Sequence, residues 1–223
     1  MKYLLATFTA LIFFACSSPN EPTKEIKPTP GSWTLSFDIS DSTRHVIIPA
    51  QMEIDSALVL TLVNGEEKIV LKNSSRTGDT IVTRIEPYLS ALHYVINRAD
   101  SMTGYWVDES RDNYKIPFTA KPTTGSLNET KMWASKTFDV TFSPDCEDCS
   151  YKAVGVFGAN ANKLTGTFLT ESGDYRYLQG RVDGGNTRSD FHLSCFDGAH
   201  LFYFTGTIVN DSIQNGMFYS GKH

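Results

Sequence analysis

The residues best suited to chemistry are two cysteines in the segment SPDCEDCSY, Cys146 and Cys149. A Cys-x-x-Cys pair can form a disulfide, hold a metal or act as a redox centre. The attacking cysteine of a redox centre usually lies at a helix N-terminus near positive charge, whereas Asp145, Glu147 and Asp148 surround this pair in a predicted hairpin loop. Because adjacent carboxylates should raise the thiol pKa values, the sequence favours a loop disulfide over a metal site or a redox centre.

A second candidate is Cys195 in the segment CFDGAH. Asp197-Gly198 is a typical two-residue hairpin turn, so the sequence predicts that Cys195 lies opposite His200. Such a pair could act as nucleophile and base or bind a metal, but strand packing alone explains the alternation of HLSCF and HLFYF. Cys195 with the first two cysteines would supply three zinc thiolates, yet their spacing is no recognised zinc pattern. We predict no metal and no cofactor.

Composition and motifs exclude several classes of function. The formal net charge is −5 and the pattern shows no basic face, which argues against nucleic acid as a partner. The acidic residues fall mostly in turn-like segments such as NGEE, DESRD and TESGD. The sequence has no G-x-S-x-G, no H-E-x-x-H and no phosphate-binding loop. We therefore predict no catalytic residues.

The N-terminus has the pattern of an export signal. Met1-Lys2 supplies a positive charge, residues 3–14 are mostly apolar, and FFAC places a cysteine directly after a small residue. This resembles a bacterial lipobox, although Phe13 stands where Leu is usual. We predict a lipoprotein signal peptide over residues 1–15 and lipidation of Cys16. The alternatives are an ordinary cleaved signal and an uncleaved anchor.

The residues after Cys16 predict a spacer. Residues 16–32 hold four prolines, alternating charges and few large apolar residues, so the segment cannot bury enough surface to fold. We expect a protein tethered to the cell envelope through its lipid, most simply at the outer membrane facing the periplasm. The sequence leaves the membrane face open.

The remainder predicts an all-β fold of antiparallel meanders. Strand patterns recur about every ten residues between turn formers, and no segment keeps helical periodicity over three turns. We predict a first unit over residues 33–121, as a small barrel or sandwich. Its eight strands are WTLSFDI, VIIPAQMEI, ALVLTLV, EKIVLKN, TIVTRIE, ALHYVIN, MTGYWVD and NYKIPFTA. A connector over residues 122–136 contains the one helical candidate, Leu127 to Ser135.

The pattern then repeats over residues 137–223. KTFDVTFS matches GSWTLSFD, and six further segments match the next six strands of the first unit in order. NYKIPFTA has no counterpart, so we predict that the second unit lacks its last strand and that the chain is the front part of a longer design. The alternatives are an open seven-stranded sandwich and units that share edges.

Five Asp-Ser or Asp-Thr dipeptides form another pattern. They resemble the O-glycosylation acceptor of exported Bacteroidetes proteins. Turn formation before a strand explains the same residues, and the two interpretations are compatible. The predicted acceptor hydroxyls belong to Ser42, Ser56, Thr80, Ser101 and Ser212.

Several segments also resemble a known family. NYKIPFTA, YKAVGVF, NKLTGTFLTESGDYRYLQG, CFDGAHLFYFTGTI and GMFYSGKH are similar to the β region that precedes the thioredoxin-like domain in lipid-anchored TlpA-type thiol-disulfide reductases of Bacteroidetes. The resemblance covers nearly everything after Gly31. It implies that the segment after YSGKH completes the β region and that a W-C-x-x-C thioredoxin domain follows. The sequence contains neither, so the implied reductase chemistry belongs to no residue of this chain.

Three classes of function remain. The leading one is a non-catalytic, lipid-anchored envelope module whose partners are the membrane and a thioredoxin-like domain or another envelope protein. The second is a small-ligand-binding β-barrel, with Trp33, Phe37, Tyr105 and Trp106 around a cavity, although filling a core is the commoner role of such residues. The third is a truncated or split thiol-disulfide oxidoreductase.

Overall fold

The computed structural model describes residues 25–86, 88–112, 114–124, 135–160, 163–185, 187–210 and 212–221. In this part of the chain all regular structure is β-strand, arranged as two nearly closed, barrel-like antiparallel sheets. The predicted all-β meander is therefore confirmed. No helix capable of crossing a bilayer occurs among these residues. Cys16 and residues 127–134 of the helical candidate lie outside them, and Ser135, expected to end that helix, begins a strand.

The first sheet has nine strands in the order β4-β3-β2-β1-β9-β8-β7-β6-β5. Their bounds are β1 Gly31–Asp38, β2 Ile47–Ile54, β3 Leu60–Asn64, β4 Glu67–Leu71, β5 Ser74–Thr77, β6 Thr80–Ile85, β7 Ser90–Arg98, β8 Ser101–Asp108 and β9 Lys115–Pro122.

The strand predicted to close the first unit pairs with the first strand. β9, which contains most of NYKIPFTA, lies between β1 and β8, with Ala120 opposite Leu35 on one side and Phe118 opposite Gly104 on the other. The break in the ring lies between β4 and β5. The amide of Arg84 in β6 donates to the carbonyl of Asn73, just before β5, at 2.9 Å and extends the β5–β6 pairing by one step.

β5 is an additional strand that the sequence interpretation missed. The segment RTGDT was expected to be a turn, but its first two residues, Arg76 and Thr77, belong to Ser74–Thr77, which pairs with β6. Gly78 adopts a positive φ of 61° in the two-residue turn, which lets the strands fold back directly. All four residues of β5 are polar and exposed, so no alternation of apolar and polar residues indicated a strand.

The second sheet follows the order β10-β11-β12-β14-β15-β16-β17, with β13 paired to β12. This order matches the predicted repeat, because each strand pairs with its successor as in the first sheet. Its bounds are β10 Ser135–Phe142, β11 Tyr151–Asn160, β12 Lys163–Thr170, β13 Gly173–Asp174, β14 Leu178–Gly184, β15 Arg188–Phe196, β16 Leu201–Val209 and β17 Ser212–Ser220.

The aromatic residues expected around a cavity in the first unit fill its core instead. Trp33 and Phe37 have no exposed surface and Trp106 is 1% exposed, because alternate residues of a strand point to the same face. Tyr105 points outward and is 45% exposed. The expectation that Tyr105 lies in the interior is therefore wrong, and the other three residues are packed in the core.

The two sheets share part of one core. Phe196 and Leu201, at the ends of β15 and β16, pack within the first core. The ring centroid of Phe196 lies 4.6 Å from that of Phe37 and 5.3 Å from that of Trp106. Contacts of this kind between aromatic rings stabilise the junction beyond the apolar area that they bury.

Polar side chains complete the junction by pairing with the backbone of the opposite sheet. The amide of Asn64 donates to the carbonyl of Phe196 and accepts from its N–H, both at 3.0 Å. In the reverse direction, Gln179 donates to the carbonyl of Val63 at 2.5 Å and accepts from the N–H of Gly65 at 2.9 Å. Each of these two side chains thereby pairs with a backbone N–H and a backbone C=O of the opposite sheet.

Candidate binding cleft

A large concave site lies between β10 and β17. In the first sheet β9 separates β1 from β8, whereas β10 and β17, their counterparts in the repeat, are the two edges of the second sheet. Between these edges is a cleft of about 910 Å³, lined by residues of both strands and by residues behind them. We call it the strand-edge cleft.

The floor of the cleft consists of phenylalanines. Phe204 and Phe218 stack with their ring centroids 4.5 Å apart, and Phe142 meets Phe168 edge-to-face at 5.4 Å. Phe138 completes the set. Phe138, Phe168 and Phe204 are buried, while Phe142 and Phe218 are half-buried, so the cleft exposes apolar area above a packed base. We call these five residues the aromatic floor.

The walls of the cleft are the outer backbone edges of β10 and β17. Neither edge pairs with another strand in the part of the chain that the structure describes. An unpaired edge presents backbone N–H and C=O groups that can form a ladder with an added strand. The side chains near the walls are mostly small and polar, including Thr137, Thr141 and Asn215.

Gly216 leaves the cleft open on the β17 side. A Cβ atom added at this position would meet no heavy atom within 4 Å. Gly216 lies two residues from Phe218, and residues so spaced on a strand face the same side. β17 contains a β-bulge here: Asn215, which has φ 53°, and Gly216 both oppose Gly206 of β16, and this locally changes the course of β17.

A pair of tyrosine hydroxyls lies at one end of the cleft. The hydroxyl groups of Tyr151, which lines the cleft, and Tyr175 form a hydrogen bond with each other. Burial raises the pKa of Tyr175, and the hydrogen bond to Tyr151 raises it further. The two hydroxyls give this end of the cleft groups that can donate and accept hydrogen bonds.

A disulfide joins Cys146 and Cys149 in the turn between β10 and β11. Their Cα atoms are 5.3 Å apart, within the usual range for such a bond. The amide of Cys146 donates to the carbonyl of Ser143, which lines the cleft, at 3.0 Å. The disulfide therefore restrains this end of the cleft. It lies in a hairpin turn between two strands and not at a helix terminus.

Cys195 is buried and faces a different residue from the one predicted. It is 1% exposed and pairs with Phe202, not His200, because the turn contains four residues, Asp197 to His200. The carboxylate of Asp197 accepts hydrogen bonds from the amides of Ala199 and His200 and bonds to the His200 ring, which fixes the longer turn. The predicted Cys195–His200 opposition is wrong.

The protonation states around this turn are set by burial and hydrogen bonding. Burial, followed by the charges of Asp197 and Glu67, raises the pKa of the Cys195 thiol. Burial also opposes ionisation of Asp197, but the hydrogen bonds from His200 and Ala199 outweigh it and lower the pKa of that carboxyl. Cys195 is therefore a poor nucleophile, beside a carboxylate that stays ionised.

Arg176, in the segment between β13 and β14, neutralises that carboxylate within the second unit. It lies 3.1 Å from Asp197 and 2.8 Å from Glu67, which belongs to the first sheet. Its backbone adopts φ 64°, an uncommon conformation for a residue other than glycine. The ion pairs position Arg176 as a connection between the sheets, with no substrate-sized cavity attached to Cys195.

The five predicted glycosylation positions lie at turns or strand starts. Thr80, Ser101 and Ser212 are the first residues of β6, β8 and β17. Ser42 and Ser56 are exposed in turns, and Ser101 is the half-buried member of the set.

The aspartates that precede Ser42 and Ser56 have clear structural roles. The carboxylate of Asp55 accepts from the amides of Ala57 and Val59 at 2.8 and 2.9 Å. Asp41 accepts from the hydroxyl and amide of Thr43, and these bonds lower its pKa. Turn formation explains these two aspartates, and the modification stays a prediction.

The described residues contain no cluster of three or more histidine, cysteine, aspartate or glutamate side chains suited to a metal ion.

The sequence interpretation also missed the aromatic floor. The alternation of phenylalanines in KTFDVTFS pointed to it, but the same alternation is expected of any core strand.

Comparisons with protein-family models, curated proteins and solved structures found no match to this chain.

Proposed function

We propose that this chain is a non-catalytic, lipid-anchored module of the cell envelope that docks another polypeptide through the strand-edge cleft. The single observation that carries this proposal is the cleft itself, in which two strand edges flank an aromatic floor. Such a surface offers main-chain hydrogen bonds for affinity and apolar subsites for selectivity, with no reacting group required.

The chemistry of the cysteines supports a binding role. Cys146 and Cys149 are bonded in an acidic turn, and Cys195 is buried with a raised pKa. Efficient thiol chemistry requires an accessible thiolate, usually stabilised by positive charge or a helix N-terminus. The docked partner, by resemblance to TlpA-type reductases, is a thioredoxin-like domain or another envelope protein.

The anchor in this proposal is a lipid on Cys16, after removal of residues 1–15. The spacer over residues 16–32 then holds the sheets away from the lipid surface. We place the module at the outer membrane, facing the periplasm. Multiple acyl chains give firm attachment, since each buried methylene contributes about 0.8 kcal/mol.

A second candidate function is the binding of one small apolar ligand. The cleft volume of about 910 Å³ lies within the range of ligand pockets, and the aromatic floor would contact such a ligand. A small ligand, however, would leave the two strand edges without backbone partners.

Cell fractionation tests the anchor. Wild type and a Cys146→Ser control should be found with membranes, whereas Cys16→Ala should be soluble. A Cys16→Ala variant that stays with the membranes would contradict lipid anchoring.

An insulin-reduction assay with dithiothreitol tests the absence of catalysis. The purified protein should not accelerate turbidity over the uncatalysed rate. An acceleration that disappears in Cys146→Ser would overturn the non-catalytic assignment and favour the oxidoreductase.

A further inference from the structure

We infer that the strand-edge cleft binds one extended strand of a partner polypeptide, hydrogen-bonded to both β10 and β17 and apolar at every second residue. This inference rests on the proposed docking role and specifies what is docked. It follows from comparing the two sheets of this chain with each other.

The internal repeat indicates which structural element would fit between the edges of β10 and β17. β1 to β4 correspond to β10, β11, β12 and β14, and β6 to β8 correspond to β15 to β17. In the first sheet, the position between the counterparts of β10 and β17 is filled by β9, antiparallel to both neighbours. A strand placed in the same way would complete the second sheet and satisfy both edges.

β9 also shows which chemistry such a strand needs. Ile116, Phe118 and Ala120 point inward and are buried, while Lys115 and Thr119 point outward and are exposed. This period of two matches one apolar face and one polar face. The occupant of the cleft should therefore carry alternating apolar residues, at least one of them aromatic.

The aromatic floor lies where the inward face of the added strand would pack. In the repeat, KTFDVTFS aligns with GSWTLSFD, so Phe138 corresponds to Trp33 and Phe142 to Phe37. Phe37 contacts Phe118 of β9, with ring centroids 5.6 Å apart. Phe142, which is half-buried, is thus placed to contact an aromatic residue of the incoming strand.

The edges favour a strand over other occupants. A small apolar ligand would cover the floor but would offer no backbone ladder to either wall. A second copy of this chain, joined through one of its own edges, would pair with β10 or with β17 and leave the other edge open. One inserted strand, antiparallel to both edges as β9 is to β1 and β8, would pair with both.

The test uses the purified full-length chain in detergent and a fluorescent peptide with the sequence of residues 114–122, YKIPFTAKP. We expect saturable binding, together with slower hydrogen exchange in β10 and β17. A control peptide with Ile116→Asp and Phe118→Asp should bind at least about tenfold more weakly, since burying one large apolar side chain is worth that much.

Gly216→Trp is the variant that tests the location. The new side chain should enter the open space of the cleft without displacing existing atoms, and should weaken peptide binding at least about tenfold by filling part of the floor. Gly185→Trp is the matched control, because a Cβ there also meets nothing within 4 Å and Gly185 lies outside the cleft. It should bind the peptide like wild type.

The inference would be overturned if the peptide does not bind, or if Gly216→Trp and Gly185→Trp bind it equally. It would also be overturned if the peptide slows hydrogen exchange only in strands other than β10 and β17. Saturable binding of a fatty acid that Gly216→Trp abolishes, without added protection of β10 and β17, would also overturn it in favour of a small-ligand site. The peptide assay does not depend on attachment to a membrane, so failure of the Cys16→Ala test would count against the anchor alone.

Discussion

Replacing Asn64 with alanine should destabilise the chain by roughly 2–6 kcal/mol, through the backbone groups left unpaired at the junction. Asn64 is 2% exposed and Phe196 is 1% exposed, so water cannot easily replace the lost amide. The variant would leave both the N–H and the C=O of Phe196 without their 3.0 Å partners. A buried polar group without a partner costs about 1–3 kcal/mol, and two such groups give the stated range.

Urea unfolding followed by tryptophan fluorescence and circular dichroism measures this effect. Asn73→Ala is the matched control, because Asn73 is exposed and its amide bonds only to the side chain of Glu86, at 2.7 Å. The control should change the free energy of unfolding by no more than about 0.5 kcal/mol. If Asn64→Ala is as stable as Asn73→Ala, the junction does not depend on this amide and the reasoning is refuted.

Two further predictions concern titratable side chains. Cys195 should react with a thiol reagent only as fast as the protein unfolds, because burial shields the thiol and raises its pKa. Rapid reaction of the folded protein would contradict this. Burial and the charge of Arg181 lower the pKa of His192, so the unfolded chain binds the proton more readily and native stability should fall as pH drops below about 6.5. His192→Gln should reduce that slope in urea titrations, and an unchanged slope would show that His192 is not responsible.

The strand order could be predicted from the sequence because it depends on local patterns. Alternation of apolar residues with turn formers such as NG and TG defines each hairpin, and successive hairpins define a meander. An eight-stranded meander closes by pairing its last strand with its first, so NYKIPFTA was expected beside the first strand, where β9 lies.

What the sequence could not predict depends on contacts between distant segments. Asp197-Gly198 suggested a two-residue turn, but the hydrogen bonds of the Asp197 carboxylate produced a longer one. From the sequence, Trp33 and Trp106 could line a cavity or fill a core, and the structure buries both side chains in the core. The pairing of Asn64 with Phe196 joins residues 132 positions apart and leaves no local signal.

The position of β1 in the first sheet determines how the module would resist mechanical force. β1 is paired along its whole length with β2 and, from Trp33 to Phe37, with β9 as well. Under the proposed attachment, tension in the spacer would pull β1 along its own axis, so the ladder bonds on both sides would be loaded together. Thr29 adds two anchoring hydrogen bonds just before β1, to Ala99 and to the indole of Trp33. A partner held in the strand-edge cleft could therefore be pulled against the membrane while the first sheet stays folded.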